Sequence, residues 1–390
     1  MKRFNKVLIA NRGEIAIRII RACKELGITT VAIYAEEDKL SLFRRKADEA
    51  YLIEDHRGPV DAYLNMDKII SLAKKKNVDA IHPGYGFLAE NPVFARKCEK
   101  EGITFIGPTY QMMEQLGDKI QSKIVAHKVG VPTIPGVEKP ITSDKDALEF
   151  AKIAGYPVML KAAAGGGGRG MRIVESEESL LKDFKSAQNE ALKAFGNGDI
   201  FIEKYLQQPK HIEVQILGDN YGNAVHLFER DCSIQRRHQK IIEFTPSLSI
   251  TEEQRQAICE DALKIARSVN YRNAGTVEFL VDRNGDHFFI EMNPRIQVEH
   301  TVTEMVTDID IVQTQILIAQ GLRLDSNEIG ITSQEDVQVS GAAIQCRITT
   351  EDPQNNFMPD TGKLEVYRTG GGYGLRLDSG NGFTESNRKP

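Results

Sequence analysis

Long apolar runs are missing from this 390-residue sequence, and no stretch of it reads as a signal peptide or a membrane span. A basic excess is missing too. Fifty Lys and Arg stand against 55 Asp and Glu, a formal net charge of −5, which argues against a general nucleic-acid binder. The cysteines at positions 23, 98, 232, 259 and 346 include no C-x-x-C pair, so neither a zinc ribbon nor a disulfide framework is expected. They read as reduced thiols of a cytoplasmic protein. The P-loop pattern G-x-x-x-x-G-K-[ST] does not occur, and the first strand-to-helix turn, at Asn11–Glu14, lacks the dinucleotide pattern G-x-G-x-x-G. Internal repeats and long low-complexity tracts are absent as well. What remains is 41% apolar and 27% charged, ordinary for a globular protein and long enough for two or three domains.

Strand and helix patterns alternate in the first third. Val7–Ala10 is a short apolar strand, followed by an amphipathic helix from Ile15 to Leu26 closed by Gly27. Thr29–Tyr34 reads as a strand, Tyr63–Lys76 as a helix, Val78–His82 as a strand, Pro92–Gly102 as a helix and Ile103–Ile106 as a strand. Such alternation predicts a doubly wound parallel sheet to about residue 116. Asn11-Arg12-Gly13-Glu14 lies at the first strand-to-helix turn and reads best as a tight structural turn. Beyond residue 201 strands dominate, with one clear helix expected around Glu252–Val269.

Two stretches carry chemistry. In Glu291-Met292-Asn293-Pro294-Arg295-Ile296-Gln297-Val298-Glu299-His300, polar groups fall at every second position, which puts them on one face of an extended chain. Thr276–Asp282 and His287–Met292 read as strands joined through Asn284-Gly285, the strongest short hairpin signal. A two-residue loop there pairs Arg283 with Asp286 and sets Glu278 opposite Glu291. Two carboxylates facing across a ladder repel. A divalent cation between them removes the repulsion, and Asn293 adds a third oxygen, a donor set that suits Mg²⁺. Two solvated glutamates on an exposed face are the competing reading. An extended chain from Glu291 to Glu299 would span roughly 26 Å, too long for one small site. Pro294 therefore predicts a bend that folds Arg295, Gln297 and Glu299 back towards the metal.

The second stretch is Gly165-Gly166-Gly167-Gly168-Arg169-Gly170, between strand-like Pro157–Lys161 and Met171–Val174. Its backbone N–H groups can approach a phosphate closely, and it reads as a mobile hairpin closing over a ligand rather than a flexible linker. Ile202–Leu206 is a candidate adenine-reading segment. Glu229–Lys240, dense in cations, fits phosphate or bicarbonate binding; a solvated basic run is the alternative.

These motifs resemble the biotin carboxylase component of biotin-dependent carboxylases, in the ATP-grasp superfamily. The resemblance rests on Ala10–Ala16, His82–Leu88, Gly165–Met171, Glu229–Lys240 and Glu291–His300. Within the family, Lys46–Leu52, Val298–Glu304, Phe357–Gly362 and Leu375–Phe383 look like the N-terminal part of pyruvate carboxylase rather than the acetyl-CoA carboxylase subunit. The fold it implies is α/β, α+β in part: a Rossmann-like domain over 1–116, a connector over 117–136, a glycine-loop lid over 137–204 and a largely antiparallel catalytic domain over 205–383. Residues 384–390 have no family match, and the family continues for a substantial stretch beyond 383.

The resemblance implies a ligase that phosphorylates bicarbonate with ATP and passes CO₂ to the ureido nitrogen of biotin. Lys119, Lys161, Gly166, Gly167, Glu203, Lys204, Leu206, His211, Gln235, His238 and Leu280 are then expected to contact ATP. Glu278 and Glu291, with Asn293, are expected to hold Mg²⁺ or Mn²⁺. Lys240, Arg295, Gln297 and the Val298 backbone are expected to hold bicarbonate, with Glu299 as its general base and Arg347 stabilising the biotin enolate. Biotin is expected on a separate carrier domain, which this sequence lacks along with a carboxyltransferase region. Expected partners are those domains and further copies of the chain, with no nucleic acid and no membrane. The alternatives are the acetyl-CoA carboxylase subunit, another carboxylate–amine ligase, or a catalytically inactive nucleotide-binding fragment.

Overall fold

The computed structural model describes all residues except 1, 54–57, 59, 138, 142, 163–169, 196, 238, 361–365 and 381–390, together with the side chains of 119, 120, 194 and 195. It divides into two compact units, one of Met1–Val129, His211–Phe279 and Glu291–Pro390, the other of Gly130–Lys210 and Leu280–Ile290.

The first unit begins with the parallel sheet that the alternation predicts. Its five strands lie in the order Glu49–Leu52, Thr29–Tyr34, Lys6–Ile9, Ala80–His82, Thr104–Phe105. The helix Gly13–Glu25 buries Ile15, Ala16, Ile19, Ile20 and Cys23 against this sheet. Each such aliphatic side chain contributes about 1.5–3 kcal/mol on burial. Gly27, at φ +70°, ends the helix in the left-handed region, where a side chain would be strained. The helical spacing over Tyr63–Lys76 is interrupted: the chain forms Asp61–Leu64 and then Met66–Lys75, and the Asn65 side chain caps the second piece by accepting from Lys68 N.

The outer strand order reverses between Lys6–Ile9 and Ala80–His82, and the loops after those two strands are tied together. Asn11 Nδ2 donates to Pro83 O at 2.6 Å and to Tyr85 O at 2.8 Å. Asn11–Glu14 is thus a structural turn, as expected. Arg12 lies over the rings of Tyr63 and Phe87 and pairs with Asp38 at 3.1 Å.

A six-stranded sheet follows, in the order His287–Asn293, Asn273–Val281, Lys210–Gly218, Ala224–Arg236, Gln239–Thr245, Ala343–Cys346. Two expectations fail here. The hairpin closes at Asp282, whose N–H donates to Asp286 O at 2.9 Å, leaving Arg283, Asn284 and Gly285 in a three-residue loop. The Asp282 carboxylate accepts from Asn284 N at 2.8 Å and from Asp286 N at 3.0 Å, and Gly285 sits at φ +91°. Asp282 therefore displaces the two-residue turn, while the Asn293–Glu278 hydrogen bond at 2.8 Å keeps these two residues on one face of the sheet. Helix content beyond residue 201 is also greater than expected. Besides Glu252–Ser268, the chain forms His300–Thr307 and Ile311–Ala319. The last, Ile-Val-Gln-Thr-Gln-Ile-Leu-Ile-Ala, is buried nearly all round and so lacks the one-sided apolar pattern that marks a helix.

The second unit holds a three-stranded sheet with Val158–Ala162 between Met171–Val174 and Ile200–Lys204, all antiparallel. Helices Asp144–Ala154 and Glu177–Phe195 pack on it. Lys161 pairs with Met171, and Ala162 N donates to Gly170 O at 2.9 Å. The strands either side of the glycine run are thus zipped together up to its edges; 163–169 lie outside the described residues. The tip of the long hairpin groups with this unit because Phe289 N donates to Pro132 O at 2.7 Å.

Candidate active site

Lys240, the second residue of the strand Gln239–Thr245, is the hub of the site in the larger unit. Its Nζ lies 2.9 Å from Glu278 Oε1, 2.9 Å from Glu299 Oε1 and 2.5 Å from Glu213 Oε2. Burial works against the ammonium, but the three carboxylates hold its pKa above the ordinary lysine value, so Lys240 is a permanent cation. A proton-accepting role for it is excluded at neutral pH.

Glu278 is the most heavily bonded carboxylate of the site. Oε1 accepts from Lys240, from Asn293 Nδ2 at 2.8 Å and from Gln297 Nε2 at 2.8 Å, while Oε2 faces His211 Nε2 at 2.6 Å. Burial alone would raise its pKa; the bonds from His211 and Lys240 more than offset this and keep it ionised. His211 gains the mirror effect: burial lowers its pKa, Glu278 raises it, and the net shift is upward. Gln235 Nε2, 3.2 Å from His211 Nδ1, completes this corner.

Glu299 caps the helix His300–Thr307 from its N-terminal end, where the helix dipole favours an anion. It is 2% exposed, bound on one oxygen by Lys240 and on the other by Arg347 Nη2 at 3.0 Å. The turn before it is pinned by His300 Nδ1, 2.7 Å from Gln297 O. Arg347 also lies 2.7 Å from Glu243 Oε1, as an ion pair not aligned for a hydrogen bond. Burial pushes the Glu243 carboxyl up to about 7, although Arg347 pulls the other way.

Arg295 leaves the strand just past Pro294, as the predicted bend requires. It donates to Asn293 Oδ1 at 3.1 Å and to Ile296 O at 3.2 Å, and it pairs with Glu90 at 3.1 Å. One contiguous cluster therefore contains Lys240, Glu278, Asn293, Arg295, Gln297, Glu299, Arg347, His211 and Gln235. Val298 lies in its loop, and Glu291 sits half-buried on the strand. Glu278, Glu291 and Asn293 offer hard oxygen donors, and Glu278 is held ionised in a buried place. That donor set fits Mg²⁺.

Of the expected nucleotide residues, Lys161, Glu203, Lys204, Leu206 and Leu280 lie in the smaller unit. Lys161 and Glu203 form an ion pair across adjacent strands. Lys204 Nζ donates to Gly155 O at 2.9 Å and to Tyr156 O at 3.2 Å. Lys119 begins the helix Lys119–Lys128. Gly166, Gly167, His238 and the Lys119 side chain lie outside the described residues.

Three residues of the cluster escape a reading of the sequence: Glu213, Arg230 and Glu243. Glu213 and Gln215 alternate with Ile212, Val214 and Ile216, a pattern that reads as a solvated face. Both are fully buried, because this strand is covered on both sides. The cation run Glu229–Lys240 is buried over Glu229–Cys232, while Ile234, Arg237 and Gln239 are exposed. Arg230 is fully buried, Arg236 pairs with Glu351 and lies over the Phe357 ring, and Arg237 donates to Asn356 O at 2.7 Å.

Comparison with known proteins places this geometry. Residues 3–113 match the family model of the biotin carboxylase N-terminal domain, and 118–327 that of the carbamoyl-phosphate synthase L chain ATP-binding domain. The chain is 58% identical to pyruvate carboxylase of Bacillus subtilis (strain 168) over 378 residues, 97% of this chain and 33% of that protein. It is 54% identical to the mitochondrial pyruvate carboxylase of Homo sapiens, over 98% of this chain and 32% of that one. The chain thus spans about a third of the length of these relatives. Among solved structures it resembles the biotin carboxylase domain of 2-oxoglutarate carboxylase from Hydrogenobacter thermophilus, in complex with MgADP, ADP and bicarbonate. That likeness has a TM-score of 0.85 at 54% identity, covering 97% of this chain and 82% of that one. The biotin carboxylase subunit of pyruvate carboxylase resembles it at a TM-score of 0.84, also at 54% identity, with the same coverage.

Proposed function

We propose, for a chain that belongs to the biotin carboxylase family, that it carboxylates biotin with bicarbonate and ATP, the first half-reaction of a pyruvate carboxylase-like enzyme. The observation that carries this is the buried carboxylate of Glu299 held between two cations, Lys240 and Arg347, beside the ionised Glu278. A base must lie within hydrogen-bond reach of the proton it takes, and the same place must tolerate an anion. Lys240, Arg295 and the Gln297 amide supply that tolerance.

In this reading Glu299 removes the bicarbonate proton as a bicarbonate oxygen attacks the γ-phosphorus of ATP, ADP leaves, and carboxyphosphate forms. Arg295 offers a planar fork for two-point recognition of the bicarbonate, which a lysine lacks. Glu278 and Glu291, with Asn293, would hold Mg²⁺, which neutralises charge on the transferring phosphoryl group. Lys161, with the glycine run 165–170, would steady the phosphates, and Glu203, Lys204, Leu206, His211, Gln235, His238 and Leu280 would line the remainder of the nucleotide site, with Lys119. Arg347 would then stabilise the ureido oxygen of biotin as its nitrogen takes the carboxyl group.

The solved 2-oxoglutarate carboxylase domain is as similar to this chain as the pyruvate carboxylase subunit is, so the acyl acceptor is set by sequence outside the chain. The relatives are about three times as long as this chain; as partners of the whole protein we propose a biotinyl carrier domain, a carboxyltransferase domain and further copies of the chain. No helix among the described residues is long and apolar enough to cross a membrane, in keeping with a cytoplasmic enzyme. The domain division we assign is 1–116, 117–136, 137–204 and 205–383.

The test is the purified chain with MgATP, free biotin and bicarbonate, following ADP. Release of ADP that depends on bicarbonate, with carboxybiotin formed, supports the reading. ATP cleavage indifferent to bicarbonate overturns it, and tight MgATP binding without turnover favours an inactive nucleotide-binding fragment.

A further inference from the structure

Among the described residues Arg230 is the largest fully buried side chain, and of the groups expected to meet substrate it touches one, Gln297. Its five N–H donors are all used. Nε donates to Glu213 Oε1 at 2.6 Å, Nη1 to Gln215 Oε1 at 2.9 Å and Thr303 Oγ1 at 3.0 Å, and Nη2 to Thr276 Oγ1 at 3.2 Å and Gln297 Oε1 at 3.0 Å. A guanidinium has no acceptor, so whatever part of the Gln297 amide faces it must be the oxygen. The NH₂ group must then point the other way, and it does, donating to Glu278 Oε1 at 2.8 Å. The same arginine takes one oxygen of Glu213, whose other oxygen holds Lys240.

We propose that Arg230 is the positioning residue that sets the polarity of the anion subsite. By donating to the side-chain oxygen of Gln297 it turns that oxygen inward and the NH₂ group to the other side, towards Glu278. By anchoring Glu213 it fixes where the Lys240 ammonium stands. The subsite then meets an anion with donors on these two sides, and Glu299 is the acceptor assigned to the proton. This rests on the reading that Gln297 and Lys240 face bicarbonate, and it adds what aims them.

The test is Arg230→Lys, which keeps the charge and loses the fork, in the full chain with fold checked by circular dichroism. The bicarbonate KM should rise at least about tenfold while the Kd for MgATP stays within about twofold, since only the anion subsite loses its aim. An unchanged bicarbonate KM in folded protein, or equal loss of both ligands, overturns the proposal. The second measurement needs no turnover. With ¹⁵N-labelled glutamine, the Gln297 side-chain amide should give one set of NH₂ signals in slow rotation in the wild type and faster rotation in Arg230→Lys. If Arg230→Lys does not fold, the wild-type spectrum decides: two interconverting amide orientations overturn the proposal, one orientation supports it. A chain with a fixed Gln297 amide but no bicarbonate-dependent ATP cleavage would refute the carboxylase reading and leave the aiming role standing.

Discussion

Arg347 Nη2 and Glu299 Oε2 lie 3.0 Å apart, so the half-buried cation assigned to biotin and the buried base assigned to bicarbonate form one pair. Neither can shift without the other. Lys240 holds the second Glu299 oxygen, and the carboxylate is therefore fixed at both ends. Such fixation favours proton transfer along one direction, because the base needs no reorganisation when substrate arrives.

Replacement of that carboxylate is the direct consequence to test. Glu299→Gln keeps shape and one acceptor but cannot take a proton. Bicarbonate-dependent ADP release should fall about 10²–10⁴-fold, the usual worth of a general base, while MgATP binding by calorimetry stays close to wild type. Turnover at the wild-type rate would remove Glu299 from the mechanism.

Glu243 gives a pH signature. Burial raises its folded pKa to about 7 from the ordinary 4.5. The unfolded chain therefore releases this proton first as pH rises, and the folded state is progressively disfavoured from about pH 4.5 to pH 7, with no further change above. Glu243→Gln lacks the titration. Its stability relative to wild type should rise across that window, by up to about 3 kcal/mol, and level off beyond it. Urea melts at pH 5, 6, 7 and 8 decide this; a difference that does not vary with pH contradicts it.

The opposite sign holds at Glu304. Burial would raise its pKa, but His300, Arg18 and Arg376 outweigh burial and hold it down to about 2. Arg18 is 2.8 Å away and Arg376 2.7 Å. A depressed carboxylate stabilises the fold above its unfolded pKa near 4.5, and that contribution is lost as pH falls towards 2. Glu304→Gln strands the buried Arg18 with Asp310 alone. It should destabilise by about 3–5 kcal/mol at pH 7 and by much less at pH 3. Equal loss at both pH values would mean that packing, not charge, is what the residue supplies.

How far the sequence speaks for itself differs from place to place. The parallel sheet is legible because each strand and helix carries its own period. The bend at Pro294 is legible because proline does not extend a ladder. The hairpin turn is not, since the side chain of Asp282 captures two backbone N–H groups and the loop takes three residues in place of two. Nor is the helix Ile311–Ala319, whose burial on all sides erases its periodicity. The Glu213–Arg230 pair is hidden for a related reason: on a strand covered on both faces, alternating polar residues look solvated and are instead a buried network.

The metal assignment makes a separable claim. Ligand that binds only the folded state adds about 2.7 kcal/mol at a hundredfold excess over Kd, so MgATP should raise the melting temperature of the chain. The part due to Mg²⁺ is the difference between ATP with Mg²⁺ and ATP with a chelator. Glu291 is the carboxylate to change, because Glu278 also holds His211 and Lys240 and its loss would disturb the fold. An amide is a neutral and weaker ligand for a hard dication than a carboxylate. Glu291→Gln should therefore abolish most of the Mg²⁺-dependent difference, leaving the melting temperatures with ATP alone and without ligand near the wild-type values. A variant that retains the full difference would place the metal elsewhere than between these strands, and the oxygen donors of Glu278 and Asn293 would then serve only to hold Lys240, His211 and Arg295 in place.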